Sequence, residues 1–347
     1  MNGVIIVDKP ASWTSHDVVN RMRRILGQRS IGHLGTLDPL ATGLLPIVAG
    51  SFTRLAQFYT ASEKTYEGVI RFGFATTTYD ADGDPIGEIS PTPSHRGTAD
   101  ALQRLASEFT GVIQQTPPPF SAKKIHGVPA YKLARQHKEV ELNPVQVEIK
   151  EFVITSVEGD RAHFRARVSA GTYMRSVAHD LGQRLGCGAH LASLRRTSVA
   201  EFDITQARTL EAIETHISPI ASWSGGLIRP PKPSSEAPHP DNDVIPSEAR
   251  SLVVIETRGH ASDVPIEREA FSIASLFIHP RQLLPQFPSV TADEPTAARI
   301  RNGRPVNLPE LSRARHVKVF ANQTDLIAIA TRVAGSLFHP KIVFPPE

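Results

Sequence analysis

The chain has 347 residues, 40% of them hydrophobic, and 38 basic against 35 acidic side chains give a net charge of +3. That is room for one large domain and a smaller one, and the slight basic excess permits a polyanionic partner without demanding it. No apolar run approaches the roughly 20 residues of a membrane span, and a single cysteine, Cys187, excludes an internal disulfide or a cysteine metal cluster.

Residues 1–10 lack the basic stretch and apolar run of a signal peptide, so the expected location is the cytoplasm. Residues 3–8 (GVIIVD) read as a short buried strand. Residues 14–26 read as an amphipathic helix. Thr14 or Ser15 can cap it, Val18, Val19, Met22, Ile25 and Leu26 recur at helical spacing, and Gly27 can end it. A Gly-rich loop is expected over 32–43 and strands over 44–49 and 64–74, with a turn at Asp82-Gly83. A helix is expected over 100–109. Residues 145–154 and 161–169 should pair as antiparallel strands across Glu158, Gly159 and Asp160, and 173–185 reads as a second strong helix. From 218 to 270 the chain is rich in Pro, Ser and mixed charge. Such a segment has too little apolar area to offset its ordering entropy, so a largely disordered linker or insertion is expected there. Beyond it, a short helix (297–301) and strand-like runs (317–320, 326–332) predict a small β-rich domain.

The most unusual segment is GHLGTLDPLATGLLPIVAG, residues 32–50. Glycines let the backbone turn tightly and approach a ligand. Asp38 precedes Pro39, which restrains it toward an extended conformation and presents its side chain in a defined direction. A carboxylate in a loop ahead of a buried strand has a rigid seat. On residue chemistry alone, a plain turn residue and a functional acid both fit Asp38. Cys187 reads more simply as a buried small side chain than as a thiol served by His190. The basic clusters Arg21/Arg23/Arg24/Arg29, Lys123/Lys124 and Arg195/Arg196 fit either solvated faces or phosphate contacts.

Residues 32–46 closely resemble the catalytic motif of the TruB family of tRNA pseudouridine synthases. The resemblance continues in the family's order through DKPASWTSHDVV (8–19), KTYEGVIRFGFATTTYDADG (64–83), PPPFSAKKIHGVPAYKLAR (117–135) and SAGTYMRSVAHDLGQRLGCGAHLASLRR (169–196). It implies an α+β fold: a pseudouridine synthase catalytic domain around a mainly antiparallel sheet (1–217), then the 218–270 segment, then a small PUA-like RNA-binding domain (271–347). It implies isomerisation of uridine to pseudouridine at position 55 in the T loop of tRNA. An isomerisation changes no oxidation state, so no cofactor and no metal are expected.

The resemblance also assigns residues. Asp38 corresponds to the catalytic carboxylate, Arg175 to its arginine partner, and Tyr66 to the tyrosine that stacks on the target uracil. Tyr173 and Leu194 are expected to line the same pocket. His33 is expected to enter the T loop where the flipped base leaves a gap, and Lys9 and Lys64 to contact substrate. Further phosphate candidates are Arg21, Arg24, Lys123, Lys124 and Arg195. The expected partner is the tRNA T arm, bound by a monomer with no guide RNA and no membrane. The alternative is a non-catalytic tRNA-binding or tRNA-folding module on the same scaffold; an intact Asp38, Tyr66 and Arg175 favour catalysis, and assistance to tRNA folding is compatible with both.

Overall fold

The structure, a computed structural model, describes residues 1–87, 99–121, 142–221 and 273–346, with 123–125, 127–130, 133 and 136 between them. Helices are α1 (Ser15–Ile25), α2 (Ala99–Ser107), α3 (Met174–Leu185), α4 (Leu210–Ala221) and α5 (Glu294–Arg301). In the first two thirds of the chain the strands are β1 (Gly3–Lys9), β2 (Ile31–His33), β3 (Thr42–Ala49), β4 (Lys64–Phe72), β5 (Ala75–Thr76), β6 (Pro85–Ile86), β7 (Gly111–Gln115), β8 (Lys124–Ile125), β9 (Val128–Pro129), β10 (Val145–Glu158), β11 (Arg161–Val168), β12 (Ala189–Val199) and β13 (Phe202–Asp203). The last third adds β14 (Ser289–Thr291), β15 (Val306–Asn307), β16 (His316–Phe320), β17 (Leu326–Ala334) and β18 (Leu337–Val343).

The large sheet runs β1-β3-β12-β4-β11-β10-β7, with β2 on β3 and β13 on β12. Every pairing in it is antiparallel except β3 with β12, as expected of a mainly antiparallel sheet. Where β3 and β12 meet, Gly43 has φ +96°, and a Cβ there would lie 2.4 Å from the Arg196 carbonyl. Glycine is what lets these two strands close up.

Alternation along β1 explains its unbroken apolar run. Ile5 and Val7 face the core beneath α1, α2, α3 and α4, whereas Val4 and Ile6 face a second core shared with the C-terminal sheet. A strand buried on both faces needs no polar alternation. The second core joins the 3₁₀ helix Gly50–Phe58 and β1 to Phe320, Ile329, Ile342 and Phe344. Polar ties reinforce it: the Tyr59 hydroxyl donates to Glu201 Oε1 at 2.6 Å, and the Leu284 N–H donates to the same oxygen at 2.8 Å.

α1 starts as expected, with Thr14 as the cap in a reciprocal capping box with Asp17. The C-terminal region is the expected small β-rich domain, ordered β14-β16-β17-β18-β15. Two boundaries move. α4 runs to Ala221, into the segment read as linker, and the loop read over 32–43 is strand at both ends. The remainder of that linker, residues 222–270, lies outside the described residues.

Candidate active site

The site forms where the β2–β3 loop, the start of β4, the end of β12 and the N-terminus of α3 converge. A cleft of about 270 Å³ is lined there by Asp38, Lys64, Tyr66, Tyr173, Arg175, Leu194 and Arg196, among others. Six of the expected site residues therefore share one cavity.

The loop bearing Asp38 is held from beneath by two cations. Lys9, at the end of β1, is wholly buried; its Nζ donates to the carbonyls of Trp13 (2.6 Å), Pro10 (2.8 Å) and Pro39 (3.3 Å). Arg196, 1% exposed, donates through Nε to Leu44 O (2.8 Å), Nη1 to Thr36 O (3.2 Å) and Nη2 to Gly35 O (3.1 Å). Ser15 adds a third tie, since its hydroxyl accepts from the Leu37 N–H at 2.8 Å. Buried carbonyls demand donors, and these side chains supply them.

Arg175, 5% exposed at its side chain, is the electrostatic centre. Its Nε lies 2.9 Å from Asp38 Oδ2, although the N–H is not aligned on that oxygen, so charge rather than a directed hydrogen bond holds the pair. Nη1 donates to Thr78 O at 3.2 Å and lies 3.5 Å from Asp80 Oδ2; Nη2 donates to Phe120 O at 3.0 Å. Asp38 keeps 38% of its side chain exposed to the cleft, whereas Asp80 keeps 6%. Burial raises the Asp80 carboxyl above the ordinary range, while the Thr78 hydroxyl and Arg175 pull it back.

The aromatic and apolar walls come from sheet register. Tyr66 on β4 pairs with Arg196 on β12, and Leu194 with Gly68, so Tyr66, Leu194 and Arg196 share one face. Tyr173 precedes α3 and has no side-chain cap of its own. Instead the buried Gln115 side chain grips its backbone, accepting from Tyr173 N–H at 2.8 Å and donating to Tyr173 O at 3.1 Å. Burial raises the Tyr173 hydroxyl above its ordinary value.

Lys64 faces the cleft and donates to Ser62 O at 2.5 Å; burial and the charge of Arg196 bring its pKa down to about 8. His33 lies outside the main cleft. It lines an adjoining hollow with Tyr59 and Thr60, joined to the cleft through Gly35 and Lys64. Its Nδ1 accepts from Gly35 N–H at 3.3 Å, and burial first, then Arg196, lowers its pKa, so the ring is held neutral.

One expectation is corrected. Lys9 supports the loop rather than touching substrate, because it is buried and its donors are spent on carbonyls. Arg195 points away from the cleft and pairs bidentately with Asp8, at 2.7 and 3.0 Å. Arg21 pairs with Glu214. Lys123 is exposed, and the side chain of Lys124 lies outside the described residues. Gln115 and Asp80 were not singled out in the sequence, and Arg196 was named only as one half of the Arg195/Arg196 basic cluster. Strand alternation over 189–199 would have separated Arg196 from Arg195, and Asp80 stands in a quoted motif; nothing local marks Gln115.

Residues 23–174 match the model of the TruB family pseudouridylate synthase (N terminal domain), and 175–221 match that of the tRNA pseudouridylate synthase B C-terminal domain. The tRNA pseudouridine synthase B of Solibacter usitatus is 44% identical over 347 residues, covering 99% of this chain and 100% of that protein. That of Opitutus terrae is 47% identical over 214 residues, 62% of this chain and 88% of that one. Among solved structures, a chain of a Cbf5-Nop10-Gar1 complex aligns over 99% of this chain and 85% of that one, with TM-score 0.64 and 22% identity, a likeness of fold alone. The chain belongs to the TruB family of pseudouridylate synthases.

Proposed function

We propose that this pseudouridine synthase isomerises uridine 55 in the T loop of tRNA, with Asp38 as the catalytic carboxylate. Relatives named tRNA pseudouridine synthase B, 44% identical along the whole chain, support tRNA as the substrate. The T-loop position rests on the family motif at residues 32–46. The observation that carries the role of Asp38 is its placement: a carboxylate open to a base-sized cleft, 2.9 Å from a buried guanidinium.

The reaction breaks the N1–C1′ bond, turns the uracil, and bonds C5 to C1′; C5 gives up its proton and N1 gains one. Asp38 can attack as a nucleophile or stabilise positive charge at C1′, as carboxylates do in glycoside chemistry. Both need it ionised in a closed site, and Arg175 offsets that cost. The target base must leave its stack, at about a few kcal/mol. Tyr66 offers an aromatic face to it, Leu194 and Tyr173 complete the walls, and Lys64 stands at the rim for a phosphate. His33, neutral and in the adjoining hollow, is placed to fill the gap the base leaves. The catalytic unit comprises residues 1–221, and 273–346 form the RNA-binding accessory domain, acting as a monomer without guide RNA. Among the described residues no helix is long and apolar enough to cross a membrane.

The test is recombinant protein with a T-arm transcript and position-specific pseudouridine mapping. Asp38→Asn keeps the size and hydrogen bonding of the side chain but removes its charge. It should abolish product while leaving transcript affinity within about twofold, since the substitution spares the phosphate contacts. Turnover by this variant near the wild-type rate would sink the assignment.

A further inference from the structure

Two of the groups that hold the Arg175 guanidinium, the Thr78 carbonyl and the Asp80 carboxylate, come from one tripeptide. That tripeptide lies between β5 and β6, outside the large sheet. Its backbone is tied by Leu191 N–H to Tyr79 O (3.0 Å), Ala81 N–H to Leu191 O (3.0 Å) and Tyr79 N–H to Thr76 O (3.2 Å). The residue between the two ligands, Tyr79, has φ +65°. An aromatic residue rarely adopts this left-handed conformation, and such strain persists only where the surroundings over-determine it.

What over-determines it is a stack. The Tyr79 ring lies face to face with the imidazole of His179, centroids 3.8 Å apart and planes 11° apart. His179 stands four residues after Arg175 on α3, so the two side chains project from the same face of the helix, one turn apart. The stack and the guanidinium therefore join the tripeptide to one helix at two adjacent levels. The imidazole has no evident hydrogen-bonding purpose on the Nδ1 side: that nitrogen is buried without a partner. Burial also keeps the ring toward its neutral form, which suits stacking on a phenol.

We infer that Tyr79 is a positioning residue, whose stack on His179 registers Thr78 and Asp80 against Arg175 and, through Arg175, sets the carboxylate of Asp38. This rests on the reading of Asp38 given above. Glycine tolerates the backbone conformation at 79 but removes the ring, which separates positioning from mere folding. With the full chain and a T-arm transcript, Tyr79→Gly should fold with little change in Tm and bind the transcript with unchanged Kd. Its single-turnover rate should fall about tenfold to a hundredfold, the scale of a misplaced catalytic group. Tyr79→Phe, which keeps the stack, should restore the rate. In an Asp80→Asn background, Tyr79→Gly should slow the reaction far less than it does in the wild type, because the two act through one contact set.

A wild-type rate for Tyr79→Gly would overturn the inference. So would a rate loss that follows a loss of Tm and is equally large in both backgrounds. Should Tyr79→Gly fail to fold, His179→Leu, which leaves the 79 backbone untouched, takes its place with the same expectations and the same overturning results. Asp38→Asn in the same assay keeps the two readings apart. If Asp38→Asn turns over, the site assignment falls; if it is dead while Tyr79→Gly runs at the wild-type rate, only the role of Tyr79 falls.

Discussion

The Lys9 ammonium donates to the carbonyl of Pro39, the residue that follows Asp38, and so ties the loop bearing the carboxylate to the last residue of β1. Its remaining donors go to Pro10 and Trp13, on the chain leading into α1. A buried cation thus fastens strand, helix entry and loop together. Replacing it with methionine keeps most of the volume but takes this donor from the Pro10 and Trp13 carbonyls and leaves Pro39 O with the Ser12 N–H at 2.9 Å. Lys9→Met should lower stability by about 1–3 kcal/mol, the usual cost of unsatisfied buried groups. Turnover should fall more than transcript affinity, because the loop loses its seat while the rim cations stay. Thermal melts with single-turnover and filter-binding measurements check both halves; an unchanged melt would show that the carbonyls find other donors.

Arg175 faces two carboxylates that differ in burial, and the difference predicts which property each governs. Asp80 is buried with it, so Arg175→Met leaves a carboxylate without its counter-ion in a dry site. A loss of about 3–5 kcal/mol is expected from breaking a buried pair. Asp38 is open to the cleft, where water screens the lost partner, so its coupling to Arg175 should appear in rate rather than in stability. In double-mutant cycles, Arg175→Met with Asp80→Asn should be non-additive in melting. Arg175→Met with Asp38→Asn should be nearly additive in melting.

Lys64 carries a pKa of about 8, lowered by burial and then by Arg196. Below that value it is charged and can hold a phosphate; above it the contact weakens. Transcript affinity should therefore decline from about pH 7 to about pH 9, and Lys64→Met should flatten part of that decline. Stability moves the other way. Between a folded value of about 8 and the ordinary 10.5, the unfolded chain binds the proton that the folded chain has released. The cost of burying the charge is thus full below about pH 8 and is relieved as pH rises. Lys9 is shifted in the same direction, so the Lys64→Met comparison isolates the rim lysine.

The described residues that flank 222–272 come together. His216 on α4 and Ser275 are in contact through Nε2 and Oγ at 3.3 Å, and Ile217 and Leu276 belong to one core. Replacing 222–272 with a short Gly/Ser link should leave pseudouridine formation within about threefold of wild type, because loop length changes closure entropy only weakly. The run LVVIE at 252–256 is the stretch that could defeat this. Loss of product on the T-arm transcript would assign the segment a structural part.

What is local and periodic was legible from the order of residues. The apolar run of β1, the capped helix α1, the β10–β11 pair and the amphipathic α3 follow from spacing and capping chemistry over a few residues. The order of the family motifs named Asp38, Tyr66, Arg175, Tyr173, Leu194 and Lys64, and folding brings all six to one cleft. Burial and strand register separated neighbours that look alike in a string. Arg195 and Arg196 are one basic pair in the sequence, yet strand alternation sends one to Asp8 and the other beneath the Asp38 loop. Lys9 looks like any surface lysine until β1 is buried on both faces and its ammonium is turned to the carbonyls of Pro10, Trp13 and Pro39. Asp80 and Gln115 stand far along the chain from the groups they hold, Arg175 and Tyr173. Their roles depend on burial and on long-range register, which no window of local sequence contains.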